Sequence, residues 1–569
     1  MSRRKVLRAI IAYLAVAWLL LQVGSVMFPA FDLPAYSIKV LIYVLALGLM
    51  LWIVFSWFYD WTSEGWQKTE DLEHIPEEKM PSTRSVGLFA VFVVVVILGG
   101  WYLSERIGNS AEQEVMSLAV LPFDNLSSAD DNKAFVAGLH DNLITSLSQL
   151  SALRVISRTS TLRYADTDKS MKEIAEELNV QALIETSVLN VGDTVRINIQ
   201  LIQVFPKERH LWAEVFDRPF NNNVLDMFNE LTQTVASKIH LKLSPEEKKQ
   251  LGVSRSIDPE ALKAYLKGKY HMEKLSPESF DLAQNYFQQA IAIDPGFASV
   301  YAEIATSYMY MLQMRLLGYH EAMPKVYEYH KKAIELDPDL PEALFTEIFI
   351  KWYEYDWTSC EVRYREFLDA YPNHALANAF FSHLLILTKR KEEALAYCKK
   401  AIALDPKNDL ILSLSAVVYV FNGLFAEAGA LQAEAYKLNP RSILILRGME
   451  GGSYQAGNES SSINFLQIIY GDIYGLDVNL TGIFENQGYQ DALESLCKQM
   501  IEQMVNQDLY IAFYYHRLGN YEETIAWFQK GFQNRDIDIH YALEIPEFRK
   551  YFEDSRLKYI PEEVGLPRY

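Results

Sequence analysis

Three blocks of apolar residues dominate the first 105 positions, and the rest of the chain mixes apolar and polar residues in shorter patterns. The blocks run from about Ala9 to Phe28, from about Ile38 to Trp57 and from about Val86 to Leu103. Each has roughly the 18–20 residues with which a helix crosses a bilayer. The pattern therefore predicts three transmembrane helices in residues 1–105, with a loop at about 60–85.

The charges beside the first block predict its orientation. Basic flanks stay in the cytoplasm, and four basic residues precede this block: Arg3, Arg4, Lys5 and Arg8. Three crossings would then leave the loop at about 60–85 in the cytoplasm and everything after about Ser104 on the far side of the membrane. A cleaved signal peptide is the competing interpretation, but the block is too long and no small-residue cleavage site follows it.

The segment from 112 to 243 alternates between strand and helix patterns. The apolar run Ser117–Phe123 predicts a buried strand, and leucines at helical spacing predict a helix over Phe135–Leu150. Ala182–Leu189 and Val195–Val204 alternate in period two and are separated by a Gly-Asp pair, which is typical of a hairpin. These elements predict a small α+β domain.

Proline recurs at a fixed interval in the C-terminal half. The gaps are 43, 34, 34 and 34 residues, between Pro295, Pro338, Pro372, Pro406 and Pro440. Thirty-four residues is the period of the tetratricopeptide repeat, a helix pair that stacks on its neighbours. The pattern predicts such repeats over 258–540 and a capping segment over 541–569. The nine extra residues of the first interval are expected between helices, near Met311–His320.

Small residues occupy equivalent positions in these repeats, where two helices must approach closely. They are Ala305, Ser382 and Ala416 in first helices, and Ala283, Cys360, Ala394 and Ala428 in second helices. Proline ends each pair because it cannot continue the backbone hydrogen bonds of a helix. In period, small residues and terminal proline, the segment resembles the tetratricopeptide family, which implies an all-α solenoid.

Composition narrows the choice of partners. The formal net charge is −20, whereas duplex binding needs clustered Lys and Arg, so nucleic acid is not expected as a partner. The three cysteines, Cys360, Cys398 and Cys497, form no CxxC pair and fall in predicted helices, where packing in the core is expected. A Cys360–Cys398 disulfide is the alternative.

Signatures of catalysis or cofactor binding do not occur in the chain, which lacks a Walker A loop, GxGxxG, HExxH and GxSxG. His320 and His330 are ten residues apart, which is not a metal-ligand spacing on one helix face. The glycine-rich stretch Gly451–Gly457 predicts a loop. We therefore expect no enzyme activity, no catalytic residue, no cofactor and no metal site.

Tyrosines cluster between positions 301 and 329. Tyrosine offers a large, rigid contact area in protein interfaces, so we predict a partner-binding groove that includes Tyr301, Tyr308, Tyr310 and Tyr327. The alternative is that these rings fill the gaps between helices as ordinary repeat core.

The α+β segment resembles the TolB N-terminal-type domain of bacterial envelope and signalling proteins. The resemblance lies in Leu118–Phe123, Arg154–Arg158, Ile174–Leu178 and Arg196–Leu201. It implies a small sheet flanked by helices that binds other proteins and has no catalytic residues. Arginines at 154, 158, 163 and 196 suggest either an anion site or solvated surface residues.

Taken whole, the chain resembles bacterial membrane-anchored tetratricopeptide repeat proteins with a TolB N-terminal-like domain. The resemblance and the predicted spans place it in the inner membrane as a multi-pass protein, with the C-terminal soluble region in the periplasm. The expected function is a membrane-embedded scaffold that binds a protein or peptide on its solenoid. The alternative is the sensor component of a transmembrane signalling system. Many such proteins carry an effector domain before the membrane, but only eight residues precede the first predicted span, so a cytoplasmic effector is expected to be a separate protein.

Overall fold

The computed structural model describes residues 12–24, 28, 38, 41–45, 48–49, 52, 59–62, 65–68, 115–126, 132–191, 194–219, 224–241, 243–245, 247, 257–274, 276–503 and 506–566. The chain divides into two compact units, Met1–Gln113 and Glu114–Tyr569.

In the first unit, residues 12–24 are helical, and the short strands β1 (Tyr59–Thr62) and β2 (Gly65–Lys68) pair antiparallel. No helix in the described part of the chain is long and apolar enough to cross a bilayer, which takes about 20 apolar residues. This finding contradicts the predicted fold class with N-terminal transmembrane helices. It also contradicts the predicted multi-pass inner-membrane protein with a periplasmic C-terminal region. The predicted span at 86–103 lies outside the described residues.

The second unit begins with an α+β region whose elements match the hydrophobic pattern. Its strands are β3 (Ser117–Val120), β4 (Asp124–Asn125), β5 (Arg154–Val155), β6 (Ala182–Val191), β7 (Thr194–Gln203) and β8 (Arg209–Pro219). Its helices are α1 (Asn132–Ser148), α2 (Arg158–Thr161), α3 (Met171–Glu177) and α4 (Val224–Lys238), with a 3-10 turn at Leu162–Tyr164. The predicted strand at 117, helix at 135 and hairpin at 182–204 are confirmed.

The six strands form one mixed sheet in the order β5-β3-β6-β7-β8, and β4 also pairs with β6. The pairs β3–β5, β3–β6 and β4–β6 are parallel, and β6–β7–β8 are antiparallel. Alternate residues of a strand face opposite sides of a sheet. Leu118 and Val120 accordingly join the core that contains α1, while Ala119 and Leu121 join the core beside α3. Helices therefore pack on both faces of the sheet at β3, whereas one face of β7 stays partly exposed.

The rest of the unit is helical. Eight helix pairs follow one another: α5 (Pro259–Met272) and α6 (Pro277–Ile293), α7 (Ala298–Gln313) and α8 (Tyr319–Leu336), α9 (Pro341–Tyr353) and α10 (Trp357–Ala370), α11 (Ala375–Leu387) and α12 (Lys391–Leu404), α13 (Asp409–Phe421) and α14 (Phe425–Leu438), α15 (Ile443–Gln455) and α16 (Glu459–Leu466), α17 (Leu480–Gln487) and α18 (Tyr489–Glu502), α19 (Asp508–Arg517) and α20 (Tyr521–Gln533). A π-helical turn extends α16 over Gln467–Ile473. Short helices α21 (Ile539–Ala542), α22 (Arg549–Phe552) and α23 (Ile560–Val564) follow, with a 3-10 turn at Pro546–Phe548.

The small residues predicted at helix contacts are buried. Ala283, Ala305, Cys360 and Ala394 are fully buried, and Ser382, Ala416 and Ala428 are nearly so. The nine extra residues of the first interval are not one insertion between helices. They lengthen α7 to 16 residues and α8 to 18, compared with 13 and 14 for α11 and α12, and they also lengthen the turn.

The glycine-rich stretch at 451 is helical, so the predicted loop is wrong: Gly451 and Gly452 lie within α15. The physical reason is tertiary contact, which overrides the low helix propensity of glycine. Leu446 of the same helix is fully buried, and Glu450 is ion-paired with Arg517 at 2.6 Å. Only at Gly457, two residues after α15 ends, does the backbone turn with a positive φ of 72°.

The C-terminal segment, which we define as residues 535–566, packs against the middle repeats. Tyr541 donates to or accepts from His383 Nδ1 at 2.7 Å, and Trp357 Nε1 donates to the carbonyl of Val564 at 2.6 Å. Arg315 pairs with Asp536 at 3.0 Å. One apolar core therefore contains residues from α7, α9 and α11 together with residues of α19–α23.

The α+β region is held on the ends of successive repeats. Asn373 Nδ2 donates to the carbonyls of Leu150 and Leu153 at 3.2 and 2.8 Å. One repeat later, Ser160 N and Oγ donate to Asp405 Oδ1 at 3.0 and 2.5 Å. Asn373 lies in the loop after α10, and Asp405 lies in the loop after α12. These two loops occupy equivalent positions in successive repeats, and both contact the α+β region.

Candidate partner-binding surface

The four predicted tyrosines differ in their burial and in their contacts. Tyr301, on α7, is buried, and its hydroxyl donates to the carbonyl of Pro295 at 3.0 Å. Tyr308, on the same helix, is half-buried and stacks on Tyr329 with ring centroids 6.2 Å apart. Both rings thus fill gaps between neighbouring helices, which is what the core alternative describes.

The other two tyrosines lie near carboxyl groups. Tyr310 is half-buried near the end of α7. Burial and the nearby carboxyl of Glu303 raise the pKa of Tyr310 to about 12, so its hydroxyl stays protonated. Tyr327, on α8, is 37% exposed, and its hydroxyl donates to Glu354 Oε1 at 3.0 Å. A role of these tyrosines in partner binding stays a prediction.

Tyr310 adjoins a cluster of charged residues where the α+β region meets the first repeats. Lys269, on α5, is at its centre: its Nζ is 2.7 Å from Asp141 Oδ2 of α1 and 3.6 Å from Glu303 Oε1 of α7. Glu342, on α9, lies within electrostatic range of the same lysine. We define the junction surface as Asp141, Lys269, Glu303, Tyr310 and Glu342.

Local packing positions these side chains. Helices α5, α7 and α9 are the first helices of three successive pairs, so repeat stacking brings their matching faces side by side. The helix α1 approaches α5 closely, since a Cβ on Gly138 would be only 2.4 Å from Leu266 Cδ2. That close contact places Asp141 of α1 against Lys269.

Three carboxyl groups compete for one ammonium on the junction surface. Burial raises the pKa of Glu303 to about 7, and Lys269 only partly opposes that rise. Burial also raises the pKa of Glu342, whose Oε2 is buried without a hydrogen-bond donor. Burial alone would raise the pKa of Asp141, but Lys269 and Arg158 lower it overall. The surface is therefore short of positive charge.

The arrangement suits a cationic group from outside. The Lys269 and Asp141 side chains keep 24% and 26% of their surface exposed, so solvent reaches this pair, whereas the Glu303 side chain is 7% exposed. An added ammonium or guanidinium would find carboxyl oxygens that lack a full set of donors, and charge-assisted hydrogen bonds of this kind are the strong ones. A cationic ligand would also favour the ionised form of Glu303.

The sequence did not reveal this cluster, because its residues come from four helices and lie up to about 200 positions apart. The available signal was weak: Glu303 and Tyr310 are seven residues apart, which places them on one helix face. The arginines considered for an anion site also have other roles. Arg154 donates to the carbonyl of Ala403 at 2.8 Å, and Arg158 pairs with Glu273, so both link the α+β region to the solenoid.

Metal-binding chemistry is not found in the described ranges, where no group of three or more His, Cys, Asp or Glu side chains could hold an ion. All three cysteines are free and buried. Burial raises the pKa of Cys398 to about 11 and of Cys497 to about 12, so their thiols stay protonated and unreactive at neutral pH.

Two family models match parts of the chain. Residues 113–234 match the second domain of the HilA/YgeH-like transcriptional regulators, and residues 376–408 match the tetratricopeptide repeat. The second match covers α11 and α12, one helix pair of the series. The C-terminal region is thus a tetratricopeptide-type helical solenoid, a fold that typically binds proteins or peptides. The TolB-like assignment of the α+β region stays a prediction.

The chain is also similar to parts of other proteins. It is 31% identical over 189 residues to "Putative adenylate cyclase 3" of Rhizobium meliloti (strain 1021), covering 33% of this chain and 32% of that protein. It is 24% identical over 295 residues to the transcriptional regulator HilA of Salmonella typhimurium, covering 51% of each. The chain thus spans about a third and about half of these relatives. Among solved structures, yeast Tom70 aligns with a TM-score of 0.34 and 16% identity, over 60% of this chain and 84% of that one.

Proposed function

We propose that this chain is a non-enzymatic scaffold that binds a protein or peptide partner on its solenoid. The observation that carries the proposal is the series of eight stacked helix pairs between Pro259 and Gln533, an architecture that presents an extended surface. The division into an α+β domain at 112–243, repeats at 258–540 and a capping segment at 541–569 belongs to the same proposal.

The partner segment that fits the junction surface is basic. The surface carries three carboxyl groups against one ammonium, and the half-buried ring of Tyr310 lies beside them. A lysine or arginine of the partner would supply the missing positive charge. Because Glu303 has a pKa of about 7, such binding should strengthen as the pH rises from about 6 to 8.

A peptide library displayed to the full chain tests this proposal. The wild type should enrich peptides with lysine or arginine, and the double variant Glu303→Gln, Glu342→Gln should lose that enrichment. The control is Glu427→Gln, because Glu427 is an exposed residue of α14. Enrichment of basic peptides that is equal in all three proteins would exclude the junction surface. Absence of any enriched peptide from the wild type would count against peptide binding by the solenoid.

A second function has one specific observation in its favour. The relatives are named as an adenylate cyclase and a transcriptional regulator, so this chain could be the sensing component of a signalling system with a separate effector protein. Crosslinking of the tagged chain in its host, followed by mass spectrometry, separates the two functions. Recovery of a stable partner with a cyclase or DNA-binding domain would support the second function, and recovery of unrelated clients would support the first.

A further inference from the structure

One half-buried arginine of the solenoid has no carboxylate partner among the described residues. Arg447 lies on α15, and its guanidinium is 3.7 Å from the ring centroid of Tyr510. Its Nη2 donates to Gln507 Oε1 at 2.6 Å. Its Nε is buried and has no hydrogen-bond acceptor. The stacked ring covers one face of the guanidinium, but in-plane N–H groups still need acceptors.

Gln507, whose side chain accepts from Arg447, also has a donor without an acceptor. Gln507 is 1% exposed, and its Oε1 also accepts from the Tyr470 hydroxyl at 2.9 Å. Its Nε2 is buried and has no acceptor. Tyr470 is bonded in turn to Tyr514, with 3.2 Å between their hydroxyl oxygens, so the amide is held in place. Two adjacent side chains thus present donors that nothing in the described part of the chain satisfies.

Two other arginines, whose side chains are mostly buried, do have carboxylate partners. Arg315 pairs with Asp536 and Asp538, and Arg517 pairs with Glu450. Arg447 has no carboxylate within 4.0 Å among the residues that the structure describes. A charge shielded from solvent without a partner destabilises a fold, and so does a buried donor left unpaired. The fold therefore maintains an arrangement that an added acceptor would stabilise.

We infer that Arg447 and Gln507 form a binding site for an oxyanion, a carboxylate or phosphate group. The planar guanidinium offers donors in a geometry that matches such groups. Parts of Arg447 and of its neighbours Tyr474 and Tyr510 are exposed, so the site borders solvent although its unpaired donors are themselves covered. The hydrogen bonds that hold Gln507 mean that little ordering is needed on binding. This site and the junction surface lie on different helices and take ligands of opposite charge.

Thermal unfolding of the full chain tests the inference with acetate and inorganic phosphate as probes, at constant ionic strength set by chloride. The melting temperature of the wild type should rise and saturate with each probe. Gln507→Glu places a carboxylate beside Arg447, so that variant should lose the rise. The matched control is Gln503→Glu, since Gln503 is exposed near the end of α18, and it should behave as the wild type.

A second variant keeps the test valid if Gln507→Glu does not fold. Arg447→Lys keeps the positive charge but loses the in-plane donors, and we expect its apparent Kd for phosphate to be at least tenfold weaker. An equal rise in all four proteins would mean an adventitious ion only and would overturn the inference. So would the absence of any rise in the wild type.

The source of the oxyanion is decided by two further probes, free glutamate and a hexamer of glutamate. Saturation by free glutamate at least as tight as by the hexamer assigns the site to a small molecule. Tighter binding of the hexamer, lost in Gln507→Glu, assigns it to an acidic segment of a partner. Failure of this site leaves the basic-peptide prediction for the junction surface intact, because that assay uses different residues.

Discussion

At the residue scale, the turn inside six of the eight helix pairs depends on a left-handed residue two positions after the first helix. That residue is glycine at Gly423, Gly457 and Gly519, and it is Arg315, Tyr355 and Lys389 in the middle repeats. A left-handed backbone costs a side-chain-bearing residue roughly 1–2 kcal/mol. The three exceptions each gain a contact with the C-terminal segment: Arg315 with Asp536, Tyr355 with Arg535, and Lys389 with Glu544.

Substitution by alanine should have opposite effects on stability at Gly423, in the turn before α14, and at Gly429, within α14. Gly423 has a φ of 76°, and Gly429 lies inside α14, while neither has an atom within 4 Å of an added Cβ. Gly423→Ala should destabilise the chain by about 1 kcal/mol through backbone strain. Gly429→Ala should stabilise it by about 0.5–1 kcal/mol, because alanine favours the helix. Urea midpoints measure both, and shifts of the same sign would contradict the assigned turn.

The pair between Arg315 and Asp536 should contribute far more than a surface pair. Their side chains are 6% and 4% exposed, so Arg315→Ala leaves a buried carboxylate without its cation. We expect a loss of about 3–5 kcal/mol in unfolding free energy. The control is Arg556→Ala, which removes an exposed arginine paired with Glu522 and should cost far less, because solvent screens an exposed pair. Similar losses in a urea titration would mean that the C-terminal segment is not anchored at Arg315.

At the element scale, the helix pairs depend on small residues at their contacts. Ala428 is 4% exposed on α14, whereas Ala430 is exposed on the same helix. Ala428→Leu should overpack the contact and cost about 1–3 kcal/mol. Ala430→Leu should change the unfolding free energy by less than about 0.5 kcal/mol. If thermal unfolding shows both variants to be as stable as the wild type, the register of the repeats is wrong.

Most helices and strands could be predicted because they depend on contacts between residues that are close in the sequence. A 34-residue proline period and buried small residues follow from contacts between neighbours, and the strand alternation at 182–204 follows from a hairpin that is buried mainly on one face. Gly451 and Gly452 were misassigned because a contact with α19, about 65 residues away, holds them in a helix. The N-terminal apolar blocks predict spans from length and hydropathy alone, and no helix in the described part of the chain meets that criterion.

At the scale of the whole molecule, sequence patterns gave no sign of two features. The C-terminal segment returns to α7, α9 and α11, and the α+β region sits on loops at the ends of α10 and α12. Both features join residues about 200 or more positions apart, for example Arg315 with Asp536 and Ser160 with Asp405. No local period records such contacts. The junction surface and the oxyanion site were missed for the same reason.

The contact between Ser160 and Asp405 makes the attachment of the α+β region depend on pH. Asp405 is 3% exposed and accepts from Ser160 and from Asn408 Nδ2 at 2.8 Å. Burial raises its pKa from 3.8 to about 6, against the effect of these hydrogen bonds. A raised pKa means that the folded state holds the proton more tightly than the unfolded state. The stabilisation is therefore complete below about pH 4 and is lost as the pH rises through about 6.

Asp405→Asn removes the titrating group and isolates this effect. The unfolding free energy of the wild type minus that of the variant should fall by on the order of 2–3 kcal/mol between pH 4 and 7. Buried histidines such as His374 and His383, whose pKa values burial lowers to about 4, give the opposite slope in both proteins and cancel in the difference. The control is Asp337→Asn, the equivalent position of an earlier repeat, which is exposed to solvent and should give no such slope. A flat difference curve for Asp405→Asn would show that the carboxyl is hydrated and that the α+β region is not closed onto the end of α12.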